Sequence, residues 1–145
     1  MICKIIIDAD AEESVVIRVR KRTAIVDEIE RLVTNDGGLL IGYADDGIYS
    51  IDANDVQCFA IEDGKIFAFT KDQRLWIKSR LYSLESSLGK DFIKINQSCI
   101  ANVRHIEKFE ATFGGALMVI FKNGRKDYVS RRQLKSVKER IGFNL

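Results

Sequence analysis

The chain has 145 residues, 46% of them hydrophobic and 30% charged, with a formal net charge of +2, which is ordinary for one globular core. No apolar run approaches the ~20 residues that a membrane-spanning helix needs, and the acids directly behind the first apolar run argue against a signal peptide. Three scattered cysteines (Cys3, Cys58 and Cys99) and a single histidine predict neither a disulfide framework nor a zinc site, so we expect a cytoplasmic protein without a cofactor.

The N-terminal part of the chain predicts a small β/α extension. The segments "ICKIII" (2–7) and "SVVIRVR" (14–20) have the apolar pattern of strands. Thr23 then precedes a predicted helix. Its apolar positions are Ile25, Ile29, Leu32 and Val33. The segment "TNDGG" interrupts the pattern, so we divide the chain into an extension, residues 1–38, and a second unit, residues 39–145.

The second unit is dominated by predicted antiparallel hairpins. "VQCFAI" and "KIFAFT" flank Glu62-Asp63-Gly64, and "ALMVIF" and "KDYVS" flank Asn123-Gly124, where both residues tolerate a positive φ. Gly114-Gly115 predicts another turn. Leu81, Leu84 and Leu88 indicate a short amphipathic helix between the strands. The predicted fold class is α+β, mostly antiparallel β with few helices.

The last predicted helix begins with two arginines. Ser130 and Gln133 have the spacing of a capping box, which predicts that each side chain bonds the backbone N–H of the other. Arg131 and Arg132 oppose the helix dipole at about 0.3–1 kcal/mol each, and Lys126 lies just upstream. An anion bound at the helix start would explain the pair. The alternative is that both side chains turn into water or pair with acids.

The charges of the chain are unevenly distributed. Residues 1–72 carry 8 Lys/Arg and 15 Asp/Glu, whereas residues 73–145 carry 15 Lys/Arg and 6 Asp/Glu. Such an asymmetry is typical of a protein that binds a polyanion, and equally of a solvated basic face without a partner.

Short polar side chains interrupt the apolar segment "FIKINQSCIANVRHI" (92–106). Asn and Gln can bond an adenine edge in two places, while Ser and Arg suit phosphate or guanine. These residues therefore predict contacts with DNA. The alternative is a turn or cap between two strands. The residues concerned are Asn96, Gln97, Ser98, Asn102 and Arg104.

No motif in the sequence predicts catalysis. The chain has no GxSxG, P-loop, GxGxxG or HExxH pattern. His105 is the only histidine, and the acidic pair Asp45-Asp46 falls on a predicted turn, where such pairs are usually solubilising. We therefore predict that the protein is not an enzyme.

The segments "DFIKINQSCIANVRHIEKFE" and "LMVIFKNGRKDYVSRRQLKSVKERIG" closely resemble the LytTR DNA-binding domain of bacterial transcription regulators. The resemblance runs from about Leu39 to the C-terminus. The whole chain is similar to the short, stand-alone members of that family, which carry a small extension in place of a response regulator's receiver domain. The resemblance implies a sequence-specific transcription regulator that reads double-stranded DNA through loops of a β-rich fold.

The resemblance also places three DNA-contacting loops on this sequence. The first is the turn Asp63-Gly64-Lys65, in which Lys65 has the only long side chain. The second is the segment containing Asn96, and the third is the start of the last helix. The predicted DNA-binding residues are Lys65, Asn96, Gln97, Ser98, Asn102, Arg104, Lys126, Arg131 and Arg132.

The family habit of binding paired operator sites implies a homodimer, at least on DNA, and its stand-alone members are often associated with a small membrane protein that restrains them. Two other functions are compatible with the residues. An RNA-binding β module would stack bases on exposed aromatic rings. The candidate rings are Phe67, Phe69, Phe109 and Phe113. A protein-interaction or ligand-sensing module would carry the basic face incidentally.

Overall fold

Ten short strands and three helices occur in the residues that the structure, a computed structural model, describes: 2–12, 14–33 and 39–142. The helices are α1 (Ala24–Val33), α2 (Leu81–Ser87) and α3 (Arg131–Ile141). The strands are β1 (Leu39–Ala44), β2 (Gly47–Asp52), β3 (Cys58–Glu62), β4 (Lys65–Phe69), β5 (Arg74–Ile77), β6 (Phe92–Asn96), β7 (Cys99–Asn102), β8 (Ile106–Ala111), β9 (Leu117–Phe121) and β10 (Lys126–Val129). The predicted α+β class, mostly antiparallel β, is confirmed.

Seven strands form one antiparallel sheet in the order β2-β1-β5-β4-β3-β7-β6, and the other three form a second sheet in the order β10-β9-β8. The two predicted hairpins are confirmed, with β3 joined to β4 across Asp63-Gly64 and β9 joined to β10 across Asn123-Gly124. Gly64 and Gly124 have φ angles of +74° and +88°. Because other side chains disfavour this conformation, glycine is the suitable residue at both turns.

The core lies on both faces of the larger sheet, because successive residues of a strand point to opposite faces. On one face, Cys58 and Ala60 pack with residues of β9, β10 and α3. On the other face, Phe59 and Ile100 pack with the buried leucines of α2. The smaller sheet and α3 therefore pack on one face of strands β3, β7 and β6. This packing holds the first turn of α3 close to the end of β6.

The N-terminal extension differs from the prediction. Helix α1 is present, but residues 2–7 and 14–20 form no strand. Most of their apolar side chains lie in solvent, with Ile2 97% and Ile7 96% exposed, while Ile17 is half-buried in a cleft beside α1. An alternating pattern makes a strand only where another strand supplies hydrogen bonds, and within one chain these two segments have none among the described residues. The predicted boundary segment, 34–38, lies outside the described residues.

Candidate DNA-binding surface

Three loops meet at one edge of the larger sheet. The β3–β4 turn is tied to the β6–β7 turn by the Ile61 N–H, which donates to the Ser98 carbonyl at 2.9 Å. The start of α3 is tied to the end of β6 by the Ser130 N–H, which donates to the Ile95 carbonyl at 2.9 Å. We call this region the loop edge, defined as residues 63–65, 97, 98 and 130–132. The three loops are distant in sequence, and the strand pairing brings them together.

Asn96 lies beneath the loop edge and stabilises it. The side chain is 2% exposed, and its Nδ2 donates to Asp127 Oδ1 and to the Tyr128 carbonyl, both at 2.9 Å. Its Oδ1 accepts the Ser98 N–H at 2.8 Å. Both ends of the amide are therefore engaged within the protein. The prediction that Asn96 faces DNA is corrected, since a buried amide that has its partners positions the loop instead.

Asn102 is likewise a structural residue. It is 1% exposed, its Nδ2 donates to the Val56 carbonyl at 3.0 Å, and its Oδ1 accepts the Arg104 N–H at 3.1 Å. This is the cap of a short 3-10 turn at Val103–His105. The predicted DNA contact of Asn102 is therefore corrected, in favour of the turn-forming alternative that the sequence left open.

Three of the predicted residues in the first two loops are exposed at the loop edge. Gln97 and Ser98 form the turn between β6 and β7, and their side chains face solvent. Lys65 follows the β3–β4 turn, and its ammonium lies 4.7 Å from the centre of the Trp76 ring. A short two-residue turn on paired strands holds these side chains in a fixed register, as recognition of a base edge requires.

Arg131 and Arg132 are exposed in the first turn of α3. Ser130 Oγ accepts the Gln133 N–H at 3.3 Å, which confirms Ser130 as the N-cap. The reciprocal half of the predicted capping box is not made, because the Ser130 N–H is already bonded to Ile95. Neither arginine has an ion-pair partner among the described residues, so their charge adds to the positive end of the helix dipole.

Two predicted residues lie away from the loop edge. Arg104 follows the opposite end of β7, where its Nε lies 2.6 Å from Asp91 Oδ2. The hydrogen bond and the charge of Asp91 raise the pKa of Arg104. Lys126 begins β10, about 13 Å of strand from the start of α3. The strand directions therefore place these two exposed cations away from the loop edge, and their predicted contact with DNA stays a prediction.

An ion-pair network that was not predicted connects the two sheets behind the loop edge. Glu62 accepts from Arg125 at 3.0 Å and from Arg74 at 2.9 Å. Partial burial acts to raise the pKa of Glu62, but the two guanidinium groups together lower it overall. Arg125 also lies over the Phe69 ring at 3.8 Å. No local pattern could have revealed this network, because its members come from three different hairpins.

The described residues contain no cluster of three His, Cys, Asp or Glu that could hold a metal ion. They also contain no helix long and apolar enough to cross a membrane. Cys99 is buried, and a hydrogen bond with Cys58 together with that burial raises the pKa of its thiol well above the usual range. A thiol in this state is a poor nucleophile.

A family model described as the LytTr DNA-binding domain matches residues 46–142. An uncharacterised HTH-type transcriptional regulator of Staphylococcus aureus (strain NCTC 8325) is 38% identical over 104 residues, which is 72% of this chain and 71% of that protein. Its counterpart in strain MRSA252 has the same identity and coverage. The described residues of this chain contain no two consecutive helices, as a helix-turn-helix would require, because strands separate α1, α2 and α3.

A solved LytTr DNA-binding domain from Bacillus cereus has the same fold, with a TM-score of 0.68 and 24% identity. The match covers 72% of this chain and 97% of that domain. The family model spans well over half of the chain, and the curated relatives agree with it. The chain belongs to the LytTr family of DNA-binding domains.

Proposed function

We infer that this protein is a transcription regulator that binds double-stranded DNA in a sequence-specific manner through the loop edge. The inference rests on one observation: three loops lie together at one edge of the sheet, where Gln97 and Ser98 are next to the start of α3. An exposed amide, a hydroxyl and two guanidinium groups supply donors and acceptors for base edges and phosphates.

We assign distinct roles to the residues of this surface. Gln97 reads a base edge, Ser98 bonds a nearby phosphate or base, and Lys65 bonds a backbone phosphate. Arg131 and Arg132 bind phosphate or a guanine edge at the helix start, where the backbone and the side chains both favour an anion. Asn96 and Asn102 hold the loops in place without touching DNA. Arg104 and Lys126 are outside this contact set.

The test is selection of bound fragments from random duplex DNA, followed by affinity measurements on the selected operator and on random DNA. Arg132→Ala and Gln97→Ala should each lower discrimination by about 1–3 kcal/mol, the range for a bidentate base contact. Lys135→Ala, on an exposed position of the same helix, is the matched control and should leave discrimination unchanged. Unaltered operator affinity and selectivity in Arg132→Ala would show that the site is misassigned.

We further propose that two copies act together on paired operator sites and that the extension joins them. Large apolar side chains are exposed throughout residues 2–33. They are Ile2, Ile5, Ile6, Ile7, Val15, Val16, Val19, Ile25, Leu32 and Val33. Acids occupy positions 8, 10, 12 and 13, whereas bases occupy positions 18, 20 and 21, so the segments of two copies are complementary in charge as well as apolar.

Two finer proposals rest on the family resemblance alone. The site of action is the bacterial cytoplasm, and a small membrane protein restrains the regulator. Co-purification of the untagged regulator with a membrane fraction, compared between cells with and without the small membrane protein, tests the second proposal. Recovery of the regulator only from the soluble fraction in both cells would contradict it.

The rival function, an RNA-binding β module, is not favoured. Arg74 covers the Phe67 ring at 4.3 Å, and Arg125 covers Phe69 at 3.8 Å. Phe109 packs against the core. Among the four candidate rings only Phe113, on the turn before β9, is fully exposed. A single ring does not make a platform for successive bases. Competition between duplex DNA and single-stranded RNA distinguishes the two functions.

A further inference from the structure

We propose that Lys65 and Lys78, held over the rings of Trp76 and Tyr43, form a second anion site that binds backbone phosphates of the DNA flanking the operator. This inference rests on the proposed function and extends it, because Lys78 belongs to none of the three loops. We call the two residues the lysine pair.

The strand register places the two lysines opposite each other. Ile66 of β4 pairs with Ile77 of β5 in an antiparallel ladder, so the next position on each strand is Lys65 and Lys78. Both ammonium groups approach the same ring, because Lys65 Nζ lies 4.7 Å and Lys78 Nζ 5.0 Å from the centre of Trp76. The Nζ of Lys78 also lies 4.2 Å from the centre of Tyr43.

Two lysines placed in this way repel each other unless an anion lies between them. Like charges directly opposite on neighbouring strands destabilise a sheet. No carboxylate forms an ion pair with either lysine among the described residues, although Arg74 on the same face is bonded to Glu62. The aromatic faces attract the ammonium groups and restrict where they point. A bound anion would remove the repulsion between the two ammonium groups. The aromatic rings already hold both groups where they can donate hydrogen bonds to it.

The groove beside the lysine pair is open enough for a phosphate backbone. Its volume is about 500 Å³, and Lys65, Trp76, Tyr43 and Arg74 line it, whereas Lys78 lies beside it, in contact with the Trp76 ring. Asp45 also lines the groove and forms no ion pair with either lysine among the described residues. Since Lys65 and Arg74 carry positive charge and lie with the Tyr43 and Trp76 rings on one face of the sheet, the groove favours an extended polyanion over a small neutral molecule.

The distance to the loop edge identifies flanking DNA as the source of the phosphates. The strand order β5-β4-β3-β7 separates Lys78 from the Gln97 turn by three strand spacings, or about 14 Å. Each DNA strand carries one phosphate for about 3.4 Å of helix axis. Lys78 therefore reaches phosphates about four base pairs from the base contact of Gln97, and Lys65, one strand nearer, reaches those about three base pairs away.

The experiment compares Lys78→Met with Lys71→Met, which removes an exposed lysine in the turn at the other end of β4 and β5. On an operator with long flanks, Lys78→Met should weaken operator and random DNA about equally, roughly three- to tenfold at low salt. The slope of log affinity against log salt concentration should fall by about 0.9 for the lost phosphate. Lys71→Met should change neither quantity. On an operator trimmed to its core, Lys78→Met should match the wild type.

The single tryptophan provides a direct readout in the unmodified protein, because Trp76 is the only one in the chain. Binding of the long-flanked operator should change the emission of Trp76, and binding of the trimmed operator should not. Unchanged emission with both operators, or wild-type affinity and salt slope in Lys78→Met, would overturn the inference. The proposed function would survive these results if Arg132→Ala still lost selectivity for the operator. A wild-type protein that did not prefer its operator to random DNA would refute the proposed function itself.

Discussion

The buried amide of Asn96 holds the loop edge in place, and removing this amide tests that role most directly. In Asn96→Ala, the Asp127 carboxylate, the Tyr128 carbonyl and the Ser98 N–H lose a buried partner. We expect the free energy of unfolding to fall by about 1–3 kcal/mol in chemical denaturation. Gln97→Ala, one residue away and exposed, should change it by less than about 0.5 kcal/mol. A stable Asn96→Ala protein that loses only selectivity would restore Asn96 to the DNA contacts.

Glu62 makes stability depend on pH at the residue scale. Its pKa is lowered in the folded protein, so its ion pairs stabilise the fold above the unfolded pKa of about 4.3. This contribution is lost as the pH falls through the lowered folded value. The wild type should therefore be more stable than Glu62→Gln at pH 7 by about 0.5–1 kcal/mol. The difference should shrink in thermal unfolding as the pH falls below the unfolded pKa and through the lowered folded value, and a difference that did not change with pH would exclude an ionic cause.

At the scale of elements, α3 depends on its cap. Ser130 Oγ accepts the Gln133 N–H, and two arginines in the first turn make the helix start electrostatically unfavourable. Ser130→Ala should lower the free energy of unfolding by about 1 kcal/mol, as is typical for the loss of an N-cap. Ser136→Ala, at an exposed position within the same helix, should raise it by a few tenths of a kcal/mol. Equal effects of the two substitutions in denaturant titrations would argue against the capping role.

At the scale of the whole molecule, the extension and the DNA-binding unit should be separable. The core clusters consist of residues from 40 onward, so deleting residues 1–36 removes none of their members. We expect the shortened protein to fold, to bind a single half-site and to sediment as a monomer where the full chain sediments as a dimer. Loss of all folding by circular dichroism would contradict the boundary, and an unchanged dimer would contradict the role of the extension.

The α+β class, the turns at Asp63-Gly64 and Asn123-Gly124, and the Ser130 cap could all be predicted from the sequence. Each of these features depends on residues that are neighbours in the chain, so a short stretch of sequence is enough to predict it. The N-terminal strands could not be predicted in this way, because apolar alternation does not say whether a pairing partner exists. The Asn96 amide was ambiguous for a related reason, since a short polar side chain suits a buried loop anchor as well as a DNA contact.

The sequence by itself determined the two hairpin turns, the Ser130 cap and the family, and with the family DNA as the ligand. The tertiary structure decided which of the candidate side chains lie together at the loop edge. Asn96 and Asn102 turned inward, Arg104 fell at the opposite end of its strand, and Lys78 came to lie beside Lys65. The physical reason is that burial and strand register are set by pairing between distant segments. A shift of one residue in the register moves every side chain of a strand to the other face of the sheet. The partner strand decides the register, and a single segment does not show where that partner lies.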